Sequence, residues 1–241
     1  MHNVHPDDRK QLEGIFIQSI NSGESFTVEI RQYNYQNETV WSQSHGTPVF
    51  DNQNNFIHML VLTRDISLQK AHELKLEDFA HHDPLTGLPN RRLFNVRIEQ
   101  RLEEFKDHNA LLAVIMLDID HFKEINDSMG HDVGDRVIKE FGNRLRETVR
   151  DEDLVARLGG DEFVILLPGI ESAENAVAIA ESIQNAIRQP WKANDSTISI
   201  TSSMGIAMSE QDITPSSMLK NADIALYEVK NKGRNAYKLF E

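Results

Sequence analysis

The sequence predicts an α/β (α+β) chain in two unequal parts: a thin antiparallel sheet, then a linker helix into a mixed central sheet with surrounding helices. Three observations point to it. Residues 1–65 alternate apolar and polar as strands do, residues 67–82 switch to helical spacing, and from residue 83 helical and strand patterns take turns. At 241 residues each part can bury its own core. The expected boundaries are 1–66, 67–82 and 83–241.

In the first part a leading helix precedes three strands, "SFTVEIRQYNY", "TVWSQSHGTPVFD" and "FIHMLVLTRDI", with a polar "NQNN" turn before the last. Such a sheet has one face that needs cover. From Ser67 to His82, Leu68, Ala71, Leu74, Leu76 and Phe79 form a narrow apolar stripe, which either pairs two chains as a short coiled coil or packs on its own domain. "DPLTGLPNRR" is a loop running into a helix start, because its prolines and glycine punctuate the chain. A helix over about 90–106, the buried strand "LLAVIMLDI" and a helix near 132–149 follow; that last helix carries Val137, Ile138, Phe141, Leu145 and Val149 on one face. A hairpin around "GGDE", a helix near 172–188, the strand "STISITSSMGIAM", a helix near 215–229 and the strand "NAYKLF" complete the order.

The 39% apolar and 26% charged residues are ordinary for a folded globular chain. With 25 Lys and Arg against 38 Asp and Glu, the net charge of −13 repels nucleic acid and anionic membrane, so a polyanionic substrate must bring or find a local cation. The absence of cysteine excludes disulfides, thiolate metal sites and cysteine nucleophiles. No stretch reaches the ~20 apolar residues of a membrane span, and no signal segment opens the chain, so the expected location is cytoplasmic.

Chemistry concentrates in the acids. Gly159 and Gly160 tolerate the positive φ of a tight hairpin, placing Asp161 and Glu162 at its tip. Acids at a hairpin tip are often only solvated. A second acidic element, "MLDIDHF", puts Asp118 at the exit of a buried strand, where α/β proteins tend to place ligands. If strand and hairpin are neighbours, three carboxylates converge. They would repel one another without a cation, and hard oxygen ligands suit Mg²⁺ bound together with phosphates, as in two-metal phosphoryl or nucleotidyl transfer. Asp120 points to the same side as Asp118 or into the following loop.

"DPLTGLPNRR", "LDIDHFKEINDSMGHDVGD", "RLGGDEF" and "YEVKNKGRNAY" resemble, in order and approximate spacing, the motifs of the GGDEF family of diguanylate cyclases, from about Asp83 to the end. The resemblance implies a palm-like nucleotidyl cyclase fold that condenses two GTP into cyclic di-GMP with release of pyrophosphate. By the same resemblance Asp118 and Glu162 are metal ligands, helped by the carbonyl of Ile119, with Mg²⁺ or Mn²⁺ as two ions per half-site. Asp161 stands where the family has an acid essential to catalysis, as base, ligand or both. Asn126 and Asp135 resemble the guanine readers; taken alone, the first suits a turn and the second an early helical turn. Lys123, Lys230 and Arg234 match phosphate contacts, and Gly159 and Gly160 belong to the substrate loop. Lys230 also suits the helix end near which it lies.

"RDED", Arg150 to Asp153, is separated by five residues from the first signature glycine, Gly159, and resembles the family's RxxD site for inhibition by its product. Guanine offers a Hoogsteen edge to the Arg fork and N1 and N2 donors to the Asp. One GTP per domain and two in the product imply a homodimer. Residues 1–66 are similar to the C-terminal part of a PAS sensor domain. A catalytically silent module that binds cyclic di-GMP or GTP is the alternative, and members of that kind usually show a broken signature, which is intact here.

Overall fold

The computed structural model describes residues 3–105, 111–193, 196–209 and 213–241, and separates into two compact units, Met1–Glu77 and Asp78–Glu241.

In the first unit, helix α1 (Pro6–Ser22) precedes the antiparallel meander β1 (Phe26–Tyr33), β2 (Thr39–Phe50) and β3 (Phe56–Asp65). Its small core joins Val4 and Leu12 to Val28 and Ile30, alternate residues of β1 that share one face of the pleat. Asp8 accepts from the Arg31 guanidinium at 2.6 and 3.1 Å and from its backbone N–H at 2.8 Å, pinning α1 to β1. β3 exposes apolar side chains on both sides of its pleat, Leu60 and Leu62 on one and Ile57 and Val61 on the other, where the sequence predicts one face in need of cover. Helix α2 (Ser67–His81) follows directly. Leu68 and Phe79 of its apolar stripe are exposed, while the side chains of Leu74 and Leu76 lie outside the described residues.

The second unit is built on a five-stranded sheet of order β10-β9-β4-β6-β5. These strands are β4 (Leu111–Ile119), β5 (Leu154–Gly159), β6 (Glu162–Ile170), β9 (Ser202–Met208) and β10 (Tyr237–Leu239). All pairings are antiparallel except β10 with β9. β4 is central and buried on both faces, so it reads as a continuous apolar run. Helices α5 (His131–Thr148) and α6 (Ala173–Arg188) cover the face bearing Ala113, Ile115, Leu117 and Phe163. Helices α3 (Arg91–Phe105) and α7 (Pro215–Asn231) cover the face bearing Leu112, Val114, Met116, Val164 and Leu166. α7 lies close because Gly205 of β9 has no side chain: a Cβ there would overlap the Ala222 carbonyl and the Leu226 nitrogen.

The elements differ from expectation at two places. Residues 122–129 form a short helix, α4 (Phe122–Met129), where the sequence reading had no element. The expected strand "STISITSSMGIAM" is divided into β8 (Ser196–Ile198), paired with β7 (Trp191–Ala193), and β9. The break spans residues 199–201, and the side chain of Thr201 at its end is engaged with Asp120. The end of the helix near 90–106 reaches Lys106, outside the described residues.

Candidate active site

The signature hairpin turns through Gly160 and Asp161, with Gly159 opposite Glu162 in register. Gly159 and Gly160 have φ of 141° and 55°, the region that glycine enters without steric cost. Arg157 fixes the turn from below: Nε and Nη2 donate to the Gly160 carbonyl at 3.0 and 2.7 Å, and Nη1 donates to both Asp83 oxygens at 2.9 and 3.0 Å. Asp83 also accepts from the Thr86 N–H and hydroxyl. Burial alone would raise the Asp83 pKa, but Thr86 and Arg157 outweigh it and hold the carboxyl below its ordinary value.

Asp118 and Glu162 are directly opposite in the β4–β6 ladder, so their side chains emerge on the same face, the one covered by α3 and α7. α7 brings Lys230 Nζ to 2.6 Å from Asp118 Oδ2. The Asp118 side chain is 13% exposed. Burial pushes its pKa up to about 6; the Lys230 ion pair opposes this, and the charges of Asp161 and Asp120 add to it. Glu162 is half-exposed, with Arg91 Nη2 at 3.6 Å from its carboxylate. The Ile119 N–H donates to the Asp161 carbonyl at 3.4 Å, holding strand and hairpin tip together.

The structure thus brings Asp118, Ile119, Asp161, Glu162 and Lys230 together at one end of the sheet. Among the described residues no three His, Cys, Asp or Glu side chains are grouped closely enough to hold a metal on their own. Two opposed carboxylates and a carbonyl nevertheless suit Mg²⁺, which keeps several waters and takes the rest of its ligands from phosphates. Asp120 is not among the groups presented: it is 4% exposed and accepts from Thr201, Ser203 and the Asn235 N–H.

Lys123 is exposed on α4. Asn126, one turn later, lies against α5, where a Cβ on Gly134 would overlap its Oδ1 and stand 2.9 Å from its Cγ. The exposed Asp135 follows Gly134 directly. Arg234 is exposed in a turn with φ of 65°.

At the far end of β5, the Arg150 guanidinium donates to Asp153 at 3.2 and 2.9 Å and to the Pro168 carbonyl at 3.3 Å. The Asp153 hydrogen bond raises the Arg150 pKa further. Arg150 borders an open cleft of about 420 Å³ lined also by Ile170, Glu171, Asn175, Ile179 and Ser182.

Sequence reasoning missed Gly134, Arg157, Asp83 and Arg91. The "GHDVGD" spacing could have pointed to Gly134, since a glycine inside a helix, one residue before Asp135, asks for a packing reason. Nothing local marks the pairing of Asp83 with Arg157, which are 74 residues apart.

Comparison with known proteins agrees with this layout. The family described as "Diguanylate cyclase, GGDEF domain" matches residues 80–236, and a PAS fold matches residues 1–63. Diguanylate cyclase TpbB of Pseudomonas aeruginosa is 43% identical over 164 residues, covering 67% of this chain and 38% of TpbB. A structure comprising only the GGDEF domain of TpbB superposes with a TM-score of 0.65 at 42% identity, covering 67% of this chain and 95% of that one. The coiled coil and GGDEF domain of DgcB from Caulobacter crescentus, in complex with c-di-GMP, gives a TM-score of 0.66 at 29% identity, covering 72% and 93%. Among the described residues no helix is long and apolar enough to cross a membrane.

Proposed function

The chain belongs to the GGDEF family of diguanylate cyclases, and from that premise we propose that it condenses two GTP into cyclic di-GMP and two pyrophosphates. The observation that carries this reading is the opposed pair Asp118 and Glu162 beside Lys230, at the mouth of an intact Gly159–Phe163 signature.

In each half of the reaction a 3′-oxygen forms a bond to the α-phosphorus of the other GTP, and the α–β phosphoanhydride bond breaks. Asp118, Glu162 and the Ile119 carbonyl would hold Mg²⁺ or Mn²⁺, which when bound neutralises the triphosphate and lowers the pKa of the attacking hydroxyl. Asp161, at the tip beside them, takes the proton of the 3′-hydroxyl or orients it. Lys230 and Arg234, with Lys123 on α4, meet the phosphates, which matters on a chain of net charge −13. Asn126 and Asp135 read guanine through its N1 and N2 donors. A reader left unpaired by adenine discriminates by ~10⁴ or more.

Each domain supplies one GTP, so two copies face one another across their hairpins. The exposed Leu68 and Phe79 of α2 suit pairing of the linker helices. Product returns to Arg150, whose guanidinium the buried Asp153 holds at the edge of the adjoining cleft, a guanine or phosphate site that slows the enzyme.

The test is incubation of the purified chain with GTP and Mg²⁺, with ATP in parallel, and chromatographic identification of products. Cyclic di-GMP from GTP alone is the expected result. A folded, dimeric preparation that makes none would replace the enzyme with a binding module.

A further inference from the structure

Asp120 follows the strand that carries Asp118, yet its carboxylate is turned into the protein. Oδ2 accepts from the Thr201 hydroxyl at 2.7 Å and from the Asn235 N–H at 3.0 Å, and Oδ1 accepts from the Ser203 hydroxyl at 2.7 Å. Its own N–H donates to the Thr201 carbonyl at 3.0 Å.

The Asn235 end of this network is unusual backbone. Gly233, Arg234 and Asn235 have consecutive φ values of 115°, 65° and 50°. Residues other than glycine enter that region rarely and stay there only where the surroundings fix them. The fixing comes from two sides. While Asp120 holds the Asn235 N–H, Arg188 at the end of α6 donates from Nε to Asn235 Oδ1 at 2.9 Å and from Nη2 to the Asn235 carbonyl at 3.1 Å. The Ala236 carbonyl then accepts from Met204, which joins the segment to β9.

We propose that Asp120 and Arg188 are positioning residues that clamp Asn235, and so aim Arg234 and Lys230 at the triphosphate of a nucleotide held at Asp118. This rests on the functional reading above and extends it to two residues that touch neither nucleotide nor metal. It also separates the two acids of "DID": Asp118 faces the site, and Asp120 holds the loop that completes it.

Arg188 is exposed, so Arg188→Ala tests the clamp with little risk to the fold. In the full chain it should raise KM for GTP by roughly fivefold or more with kcat within about twofold. It should also speed amide exchange across residues 232–237 by about tenfold. Asp120→Ala should do the same more strongly. Asp120→Asn keeps one oxygen for Thr201 and Asn235 and offers an amide N–H to Ser203, so it should return KM to within about threefold of wild type.

Unchanged KM and unchanged exchange in Arg188→Ala would overturn the clamp. A rise of about tenfold in the Mg²⁺ needed for half-maximal rate in Asp120→Asn would overturn it differently, by making Asp120 a ligand. A wild-type chain that makes no cyclic di-GMP sinks the functional reading instead. Amide exchange then decides the clamp alone, faster exchange in Arg188→Ala supporting it and unchanged exchange refuting it.

Discussion

Replacing Asp118 by asparagine should stabilise the metal-free protein above pH 6, although it removes half of an ion pair. In the folded chain burial holds the carboxyl pKa at about 6 despite Lys230 at 2.6 Å, against 3.8 without the fold. A folded-state pKa above the unfolded one means that stability is greatest below about pH 4, where both states are protonated, and falls as pH rises through about 6. A rise from 3.8 to about 6 corresponds to roughly 3 kcal/mol. Asparagine carries no charge to desolvate, so Asp118→Asn should recover about 2–3 kcal/mol at pH 8 in EDTA. For a unit of this size that is a rise in Tm of roughly 5–10 °C.

Thermal melts of wild type and variant in EDTA at pH 4.5 and pH 8 read this directly. The difference between the two proteins matters, because carboxyls such as Asp83 and Glu228, whose pKa is lowered, give both chains the opposite pH slope. The advantage of the variant should be large at pH 8 and shrink toward pH 4.5. Saturating Mg²⁺ should narrow it from the other side, by stabilising the wild type through mass action. A variant less stable than wild type in EDTA at pH 8 would refute the reasoning, because the ion pair with Lys230 would then outweigh burial.

Three further outcomes follow from the geometry. Gly134→Ala should displace Asn126, raising KM for GTP and eroding the preference over ATP by about tenfold, while Tm moves little; parallel GTP and ATP kinetics check this. Arg157→Ala leaves Asp83 and the Gly160 carbonyl without their donor and should cost about 2–4 kcal/mol at neutral pH, measured by urea unfolding. That cost should diminish in acid, because the lowered pKa of Asp83 gives stability that is present above its unfolded value and lost as pH falls through the folded one. Arg150→Ala should retain activity and lose inhibition by cyclic di-GMP, read as initial rates against added product.

The parts legible in the sequence were those whose signal is local. Two glycines before two acids specify a tight hairpin, and the positive φ of Gly159 and Gly160 is the reason they are glycines. An apolar run ending in acids specifies a central strand with its exit at the surface, as in β4. α4 escaped because eight residues, "FKEINDSM", are too few for the helical spacing of Phe122, Ile125 and Met129 to stand out as a repeat. The division of "STISITSSMGIAM" escaped for another reason. Thr201 and Ser203 look like ordinary strand residues, and their partner Asp120 stands 81 and 83 positions earlier.

The same limit explains why two acids of one tripeptide could not be told apart. In a continuing strand Asp118 and Asp120 would project on the same side, but β4 ends at Ile119 and Asp120 already belongs to the turn that His121, with φ of 59°, continues, so the strand alternation does not extend to it. What distinguishes the two is the set of partners the fold delivers. Asp120 receives neutral donors on both oxygens and is satisfied where it lies. Asp118 receives a lysine that offsets only part of the cost of its burial, and shares its face with Glu162. A carboxylate held above its ordinary pKa is stabilised by any added positive charge, so the strain at Asp118 favours cation binding, while Asp120 gives a cation little to gain. The proposed division of labour, Asp118 as ligand and Asp120 as positioning residue, therefore rests on which side chains reach each acid.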